Sequence, residues 1–190
     1  MQKPSGNTAL LVMDLQNGIA SHLGDHLEEA IVPYQKAIKT AREHDIPVIF
    51  VRVGFSPGYP EISAKNKAFS AITDQVAMTV NDVSTQIHEL VKPEGNEPVV
   101  TKYRVSAFAG SNLEVILRAQ QIDNIVLSGI ATSGVVLSTL REAADKDFGI
   151  HVLSDACFDR DPEVHRVLME KVFPRQADVL TVDAWIDSLN

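Results

Sequence analysis

The chain has 190 residues, of which 45% are hydrophobic and 22% charged, and its net charge is −8 at pH 7. This size and composition predict one globular domain over residues 1–190, with a core burying roughly 70% of the unfolded chain's surface. The acidic balance, with no cluster of lysine and arginine, argues against nucleic acid as a partner. A single cysteine, Cys157, excludes an internal disulfide and fits a reducing cytoplasm.

The chain also lacks the patterns of membrane and export segments. No run approaches the roughly 18 apolar residues of a membrane span. The polar residues 1–8 do not have the basic start and apolar stretch of a signal peptide. We therefore expect a cytoplasmic protein without a membrane partner.

Apolar runs of strand length alternate with segments of helical period along the chain. Six such runs predict strands, at residues 9–13, 47–53, 98–101, 125–128, 150–153 and 177–181. Helices are predicted at residues 27–41, after the capping sequence 111–114, at 133–146, from 162 to about 172, and at 184–189. This alternation predicts an α/β fold with three α/β/α layers around a six-stranded, mostly parallel, Rossmann-like sheet.

In such a sheet the carboxyl ends of the strands share one edge, and ligands bind in the crevice outside it. The residues to inspect therefore follow the strands: Asp14, the loop from Gly54, Lys102, the segment from Ala131, and Asp155. Residues 54–92 are less regular than the rest and predict a lid or an interface. With the apolar helix after Val135, they could provide the interface of a homo-oligomer.

Asp14 and Lys102 are the charged residues whose positions most suggest chemistry. Asp14 ends an apolar strand, where a carboxylate is costly unless it is paired or hydrogen-bonded. Either residue alone is also explained as a turn aspartate or a solvated lysine. If they meet, the ammonium favours the ionised carboxylate and burial opposes it.

Three blocks in order resemble the isochorismatase-like cysteine hydrolases. They are Asp14 in Met-Asp-Leu-Gln, Lys102 in Lys-x-x-x-Ser-Ala-Phe, and Gly129-Ile130-Ala131-Thr132 before a helix. The separations of 88 residues from Asp14 to Lys102 and 33 from Lys102 to Val135 also fit. The resemblance covers residues 9 to about 181 and implies a hydrolase that acts on a small molecule without a cofactor.

The resemblance also implies roles for individual residues. Asp14 corresponds to the family's catalytic aspartate, and Lys102 to the lysine that orients it. The peptide between Ile130 and Ala131 corresponds to one that is cis in the family, and the amides of Ala131 and residue 135 to an oxyanion hole. The family's nucleophilic cysteine falls at Val135, which has no lone pair with which to attack.

Three readings follow from the valine. True isochorismatases look like family members that lack the cysteine and cleave a vinyl ether. In them the aspartate would protonate the enol-ether carbon, and water would capture the oxocarbenium ion. The chain is then a hydrolase of a small, carboxylated molecule, cleaving a vinyl ether or a C–N bond by acid-base chemistry of Asp14 and Lys102 without a cysteine nucleophile. Alternatively, it is a degenerate member that binds a small molecule or a partner without turnover. A third option uses Ser133 as the nucleophile, although a hydroxyl needs an adjacent base.

The remaining candidates concern the substrate pocket and metals. Gln16, Phe55, Arg104 and Ser133 are predicted to contact substrate, with Arg104 better placed than Arg52 to hold a carboxylate. Tyr59 and Phe108 are further candidates for an apolar wall, and ordinary packing explains the aromatic residues equally well. Metal-binding relatives carry an Asp-x-His-x-x-His run after the second strand, which this chain lacks. His22 and His26 have no third ligand in view, so we expect no metal.

Overall fold

The computed structural model describes residues 7–71 and 77–189, which contain six strands and seven α-helices. The strands are β1 (Asn7–Met13), β2 (Val48–Val53), β3 (Val99–Lys102), β4 (Ile122–Ile130), β5 (Gly149–Phe158) and β6 (Asp178–Leu180). The helices are α1 (Asn17–Ala20), α2 (Leu27–Glu43), α3 (Lys67–Ser70), α4 (Leu113–Ala119), α5 (Leu137–Asp145), α6 (Pro162–Val167) and α7 (Val182–Leu189). Short 3₁₀ segments are Ser21–His26, Val83–Thr85, Glu89–Val91 and Phe173–Arg175, and π-helical turns are Thr132–Val136 and Leu168–Val172.

The six strands form one sheet in the order β3-β2-β1-β4-β5-β6, and every adjacent pair is parallel. The prediction of a six-stranded α/β sheet is therefore confirmed. The two longest strands, β4 and β5, extend well beyond the predicted segments. At one end of β4, Asn124 interrupts the apolar run but is paired with Thr8 of β1 and Gly149 of β5. On β5, the polar Asp155 lies in the register shift between the pairs Leu127–Val152 and Gly129–Cys157.

Helices cover both faces of the sheet and bury two apolar clusters. Alternate residues of β1 point to opposite faces, as a strand requires. Leu11 and Met13 pack in the cluster that includes α4 and α5, whereas Leu10 and Val12 pack with α2 and α7. This division produces the three predicted layers.

Helix starts follow the expected capping chemistry in part. The Asp161 carboxylate accepts the amides of Glu163 and Val164 at the start of α6, as its position before Pro162 predicts. Before α4, the Ser111 hydroxyl accepts the Leu113 amide, but Glu114 binds Lys146 instead of closing a capping box. In the described ranges, no helix combines the length and apolarity needed to cross a membrane.

The strand order reverses direction between β1 and β4. Connections on the two sides of this point leave the sheet in opposite directions, so a crevice opens outside the carboxyl ends of these strands. Asp14 follows β1 there, and the turn Thr132–Val136 follows β4. The fold thus brings two of the three sequence blocks to the position where such sheets bind ligands.

Candidate functional site

Asp14 is fixed at the end of β1 by its backbone. Its amide donates to the Val51 carbonyl at 2.8 Å, which continues the pairing with β2. Its φ of 60° is in the left-handed region, which aspartate adopts more readily than most residues. The chain turns off the strand at this residue, and the carboxylate is held at the sheet edge.

Lys102 reaches Asp14 from the last position of β3, past the end of the intervening strand β2. Its Nζ lies 3.0 Å from Asp14 Oδ2 and also donates to the Arg104 carbonyl at 3.0 Å. The side chains of Lys102 and Asp14 are only 2% and 8% exposed. The structure therefore joins the two charged residues of the sequence analysis in one buried ion pair.

The second carboxylate oxygen of Asp14 is in a different environment. Oδ1 is buried and has no hydrogen-bond partner among the described residues. Burial raises the pKa of the Asp14 carboxyl above its ordinary value of 3.8, and the attraction of Lys102 lowers it by less. When Asp14 is protonated, the proton resides on Oδ1, because Oδ2 already accepts from the lysine.

The turn after β4 has the conformation that the resemblance implies. The Ile130–Ala131 peptide is cis, as predicted. The Ala131 carbonyl accepts the amides of Gly134 at 3.1 Å and Val136 at 3.3 Å, which closes the turn. Val135 is 2% exposed and packs in the same apolar cluster as Val136 and Leu140. The position to which the resemblance assigns the nucleophile thus carries an inert side chain, and that assignment and the oxyanion role of the Ala131 and Val135 amides stay predictions.

Two residues that the sequence reasoning missed hold this turn from outside. The Asp159 carboxylate, just after β5, accepts the Ser133 amide at 2.7 Å, and the Ser133 hydroxyl also donates to it. His165 Nδ1, on α6, lies 2.9 Å from the Thr132 hydroxyl. Asp159 stands two residues before the helix-capping Asp161, so an acidic residue at a strand end was the available signal.

Ser133 is exposed and has an adjacent carboxylate, but that carboxylate is a weak base. Partial burial acts to raise the pKa of Asp159, yet the hydrogen bonds from Ser133 and neighbouring amides outweigh burial and hold this pKa below its usual range. A general base works best with a pKa near the operating pH. The arrangement around Ser133 therefore resembles a helix cap more than an activated nucleophile.

Gln16 has a structural role in place of the predicted contact with substrate. Its amide nitrogen donates to the carbonyls of Val53 and Thr85, and its oxygen accepts the Val53 amide at 2.9 Å. The side chain is buried, and its hydrogen-bonding groups are used by the backbone. Gln16 therefore ties the segment after β1 to β2 and to residues 83–85, and we do not propose it as a substrate ligand.

Phe55 is likewise a packing residue. It is 0% exposed and lies at the centre of an aromatic cluster with Tyr59, Phe69 and Tyr103 at ring-centroid distances of 5.4–6.2 Å. Its predicted contact with substrate is not supported, because the ring is enclosed by these neighbours. Phe108 packs on Phe148 in the main core, which also favours the packing interpretation.

Arg104 is exposed, and its Nη1 donates to the Tyr103 carbonyl. Its carbonyl accepts a hydrogen bond from Lys102 Nζ, so the arginine is near the ion pair along the chain. A role in binding a substrate carboxylate remains a prediction for this residue.

Cys157 and the two histidines considered as metal ligands lie in different environments. Cys157 is a buried residue of the core, and burial raises its pKa to about 12, so it is a neutral thiol at pH 7. His22 and His26 are both exposed. Within residues 7–71 and 77–189, no three His, Cys, Asp or Glu side chains converge as metal ligands, and the absence of a metal stays a prediction.

Comparisons with known proteins agree with this geometry. Residues 8–184 match the isochorismatase domain. The chain is 33% identical to the isochorismatase family protein YecD of Escherichia coli O157:H7, over 96% of each chain. It is 31% identical to the ureidoacrylate amidohydrolase RutB of Pseudomonas savastanoi pv. phaseolicola, over 97% of this chain and 82% of that protein.

Among solved structures, the fold superposes with a TM-score of 0.84 on an isochorismatase family protein from Burkholderia thailandensis. The two share 26% identity, over 96% of this chain and 95% of the other. The family match over residues 8–184 reaches all six strands and includes Asp14, Lys102 and Val135. The chain therefore belongs to the isochorismatase family of hydrolases.

Proposed function

We propose that this protein hydrolyses a vinyl ether bond in a small, carboxylated molecule, with Asp14 as the general acid and no covalent nucleophile. The observation that supports this is the Asp14 carboxyl itself. One oxygen is bound to Lys102, the other is buried without a partner in the described structure, and burial raises the pKa. A buried carboxyl with one uncommitted oxygen is suited to carry a proton and deliver it to a substrate.

The reaction balances with these groups and one water molecule. Protonated Asp14 transfers its proton from Oδ1 to the terminal carbon of the enol ether, which gives an oxocarbenium ion. The resulting carboxylate is stabilised by the Lys102 ammonium and lies opposite the new positive charge. Water adds to the cation and returns a proton to Asp14, and the hemiketal then collapses to a ketone and an alcohol.

Val135 is compatible with this route, because no step requires a nucleophilic side chain at that position. An apolar group beside the reacting centre excludes bulk water and strengthens the electrostatic contribution of Lys102. In contrast, a thioester route to amide hydrolysis would require the cysteine that Val135 replaces.

A second candidate is hydrolysis of a C–N bond, which the similarity to a ureidoacrylate amidohydrolase favours. Without a cysteine, water would attack the carbonyl directly, with ionised Asp14 as its base. The raised pKa of Asp14 makes the acid role the better match, and this is why we place the vinyl ether first. A family member that binds without turnover is the remaining alternative.

Asp14→Asn is expected to lower kcat/KM for an enol ether by about 100- to 10,000-fold, because the amide cannot supply the proton. The purified protein should be assayed against isochorismate, other enol ethers, simple amides and N-carbamoyl compounds. In wild type, kcat/KM should fall as pH rises through the raised pKa of Asp14, since the acid form is required. Activity should be normalised to folded protein by circular dichroism. A rate that rises with pH would contradict the acid role, and no turnover by folded wild type would favour the binding alternative.

Ser133→Ala is expected to leave the same kcat/KM within about threefold, because the hydroxyl serves the Asp159 cap and an exposed cap contributes only ~1 kcal/mol to stability. The measurement is the assay in which wild type shows turnover, repeated with Asp14→Asn and with Ser133→Ala. Loss of amide hydrolysis in Ser133→Ala, with enol ethers inert, would assign Ser133 as a nucleophile and overturn the proposed route.

A further inference from the structure

A second cationic group, separate from the Asp14–Lys102 pair, is located on β2. Arg52 is half-buried, its Nε donates to Thr101 Oγ1 at 3.1 Å, and its Nη1 donates to Gln86 Oε1 at 2.9 Å. Both partners are neutral. No carboxylate of the described residues forms an ion pair with this guanidinium, whereas Arg42 and Arg166 each pair with two glutamates.

The electrostatics agree with the absence of a counter-ion among the described residues. Removal from water lowers the pKa of Arg52, and within residues 7–71 and 77–189 no negative charge counteracts that effect. A partly dehydrated guanidinium binds an anion more strongly than a fully solvated one does, because the dielectric screening is lower. The Arg52 guanidinium is therefore suited to bind a negatively charged group.

Gln86 holds the guanidinium in one orientation. Its Nε2 donates to the carbonyls of Val80 and Asp82, each at 3.0 Å, so its Oε1 is directed toward Arg52. Thr101 fixes the Nε side at the same time. The arginine is thus ordered before any ligand arrives, which lowers the entropy cost of binding.

The guanidinium lines a groove of about 320 Å³ whose other walls are mostly apolar. The lining residues are Arg52, Gln86, Ile87, Pro93 and Val99. Val99 belongs to the edge strand β3 and is 43% exposed, so the groove is open to solvent on that side. None of its lining residues is acidic, and none belongs to the Asp14–Lys102 pair or the turn after β4.

The donor count matches a carboxylate. A guanidinium has five N–H donors, and two of those in Arg52 are used by Thr101 and Gln86. The remaining donors are one on Nη1 and two on Nη2, so the guanidinium can still donate to a carboxylate. We propose that this groove binds a small carboxylate with an apolar body, with the carboxylate on Arg52 and the body against Ile87, Pro93 and Val99.

Hexanoate is a suitable probe, and hexanol is its neutral counterpart. Titration of wild type, followed by ¹H–¹⁵N NMR, should show saturable shifts at the Arg52 Nε, the Gln86 side chain and the Val99 amide. Hexanol should cause much smaller shifts at the Arg52 Nε, because it cannot pair with the guanidinium. This readout is independent of turnover, so its failure is distinguishable from failure of the proposed enol ether hydrolysis.

Val99→Asp tests the site without removing the arginine. The new carboxylate lies on an exposed strand edge beside Arg52 and should weaken hexanoate binding by about tenfold or more, by competition and repulsion. Val115→Asp is the matched control, because it adds the same charge at a distant site. Val115 is 69% exposed and lies on α4, at the opposite face of the sheet. This control should change the affinity less than about twofold.

Arg52→Gln should abolish the saturable shifts, with its fold checked by the NMR spectrum. Three results would overturn the proposal. They are no saturable shifts in wild type up to the solubility limit of hexanoate, equal effects of hexanoate and hexanol, or equal weakening by Val99→Asp and Val115→Asp.

Discussion

Lys102→Met is expected to lower the free energy of unfolding by about 3–5 kcal/mol at pH 8 and by less at pH 5. The substitution leaves the Asp14 carboxylate buried without its ammonium partner, 3.0 Å away in the wild type. At low pH the carboxyl neutralises itself by taking up a proton, and part of the cost is removed. At pH 8 the carboxyl either stays ionised in the buried site or keeps a proton that the solution would remove, and both options destabilise the folded protein.

The direction of this pH dependence follows from proton binding. Burial already raises the pKa of Asp14 above 3.8 in the folded protein, and removal of Lys102 raises it further, because the lysine lowers it. Between the unfolded and folded pKa values the native state binds more protons than the unfolded chain, so stability falls as pH rises. In Lys102→Met that interval is wider, and the loss of stability continues to higher pH.

Urea unfolding at pH 5, 6, 7 and 8 would measure this effect. Lys36→Met is the control, because Lys36 pairs with Asp183 at an exposed site, and such pairs contribute only about 0–1 kcal/mol. Asp14→Asn combined with Lys102→Met should recover part of the loss at pH 8 and remove the excess pH dependence, since no buried charge remains. A pH-independent loss in Lys102→Met would show that packing, and not charge, dominates at this position.

The ion pair also illustrates what the sequence could predict. Asp14 and Lys102 are 88 residues apart, but each follows an apolar strand, and parallel topology requires both strand ends to share an edge. The prediction that they could meet needed only that rule and the family resemblance. Their burial, and the lack of a partner for Asp14 Oδ1 in the described part of the chain, depend on the tertiary structure around that edge, which no local pattern encodes.

Gln16 shows where sequence reasoning failed. It follows Asp14 by two residues, which suggested a substrate contact, yet its amide is bound by the backbone at residues 53 and 85. Those partners are 37 and 69 residues away, one at the end of β2 and the other in the 3₁₀ segment Val83–Thr85. A buried polar side chain must find hydrogen bonds, but its partners are set by tertiary structure.

Gly129→Ala is expected to destabilise the protein by about 3 kcal/mol or more, and it should impair any activity that depends on Asp14. A β-carbon at this position would lie 2.5 Å from the Met13 carbonyl oxygen and 2.9 Å from the Met13 β-carbon. Gly129 is paired with Met13 on one side and Cys157 on the other, so the backbone has neighbours in both directions. The clash therefore cannot be relieved by rotation of a flexible side chain.

Gly95→Ala is the appropriate comparison. Gly95 has a φ of +54° and open space around its would-be β-carbon, so this variant reports the cost of a left-handed alanine alone, about 1 kcal/mol. Both variants should be unfolded in urea at one pH, and the difference in their losses isolates the contact with Met13. Equal losses would mean that β1 and β4 can separate without penalty.

The close contact between Gly129 and Met13 also affects the candidate site. Met13 immediately precedes Asp14, and Gly129 immediately precedes the Ile130–Ala131 peptide, so their contact sets the distance between the acid and the turn that carries Val135. A glycine here allows the two strand ends to approach more closely than any side chain would permit. Asp14 therefore depends on Gly129 for its position relative to the turn as well as on Lys102 for its charge, and Gly129→Ala should lower kcat/KM even in the fraction of molecules that remains folded.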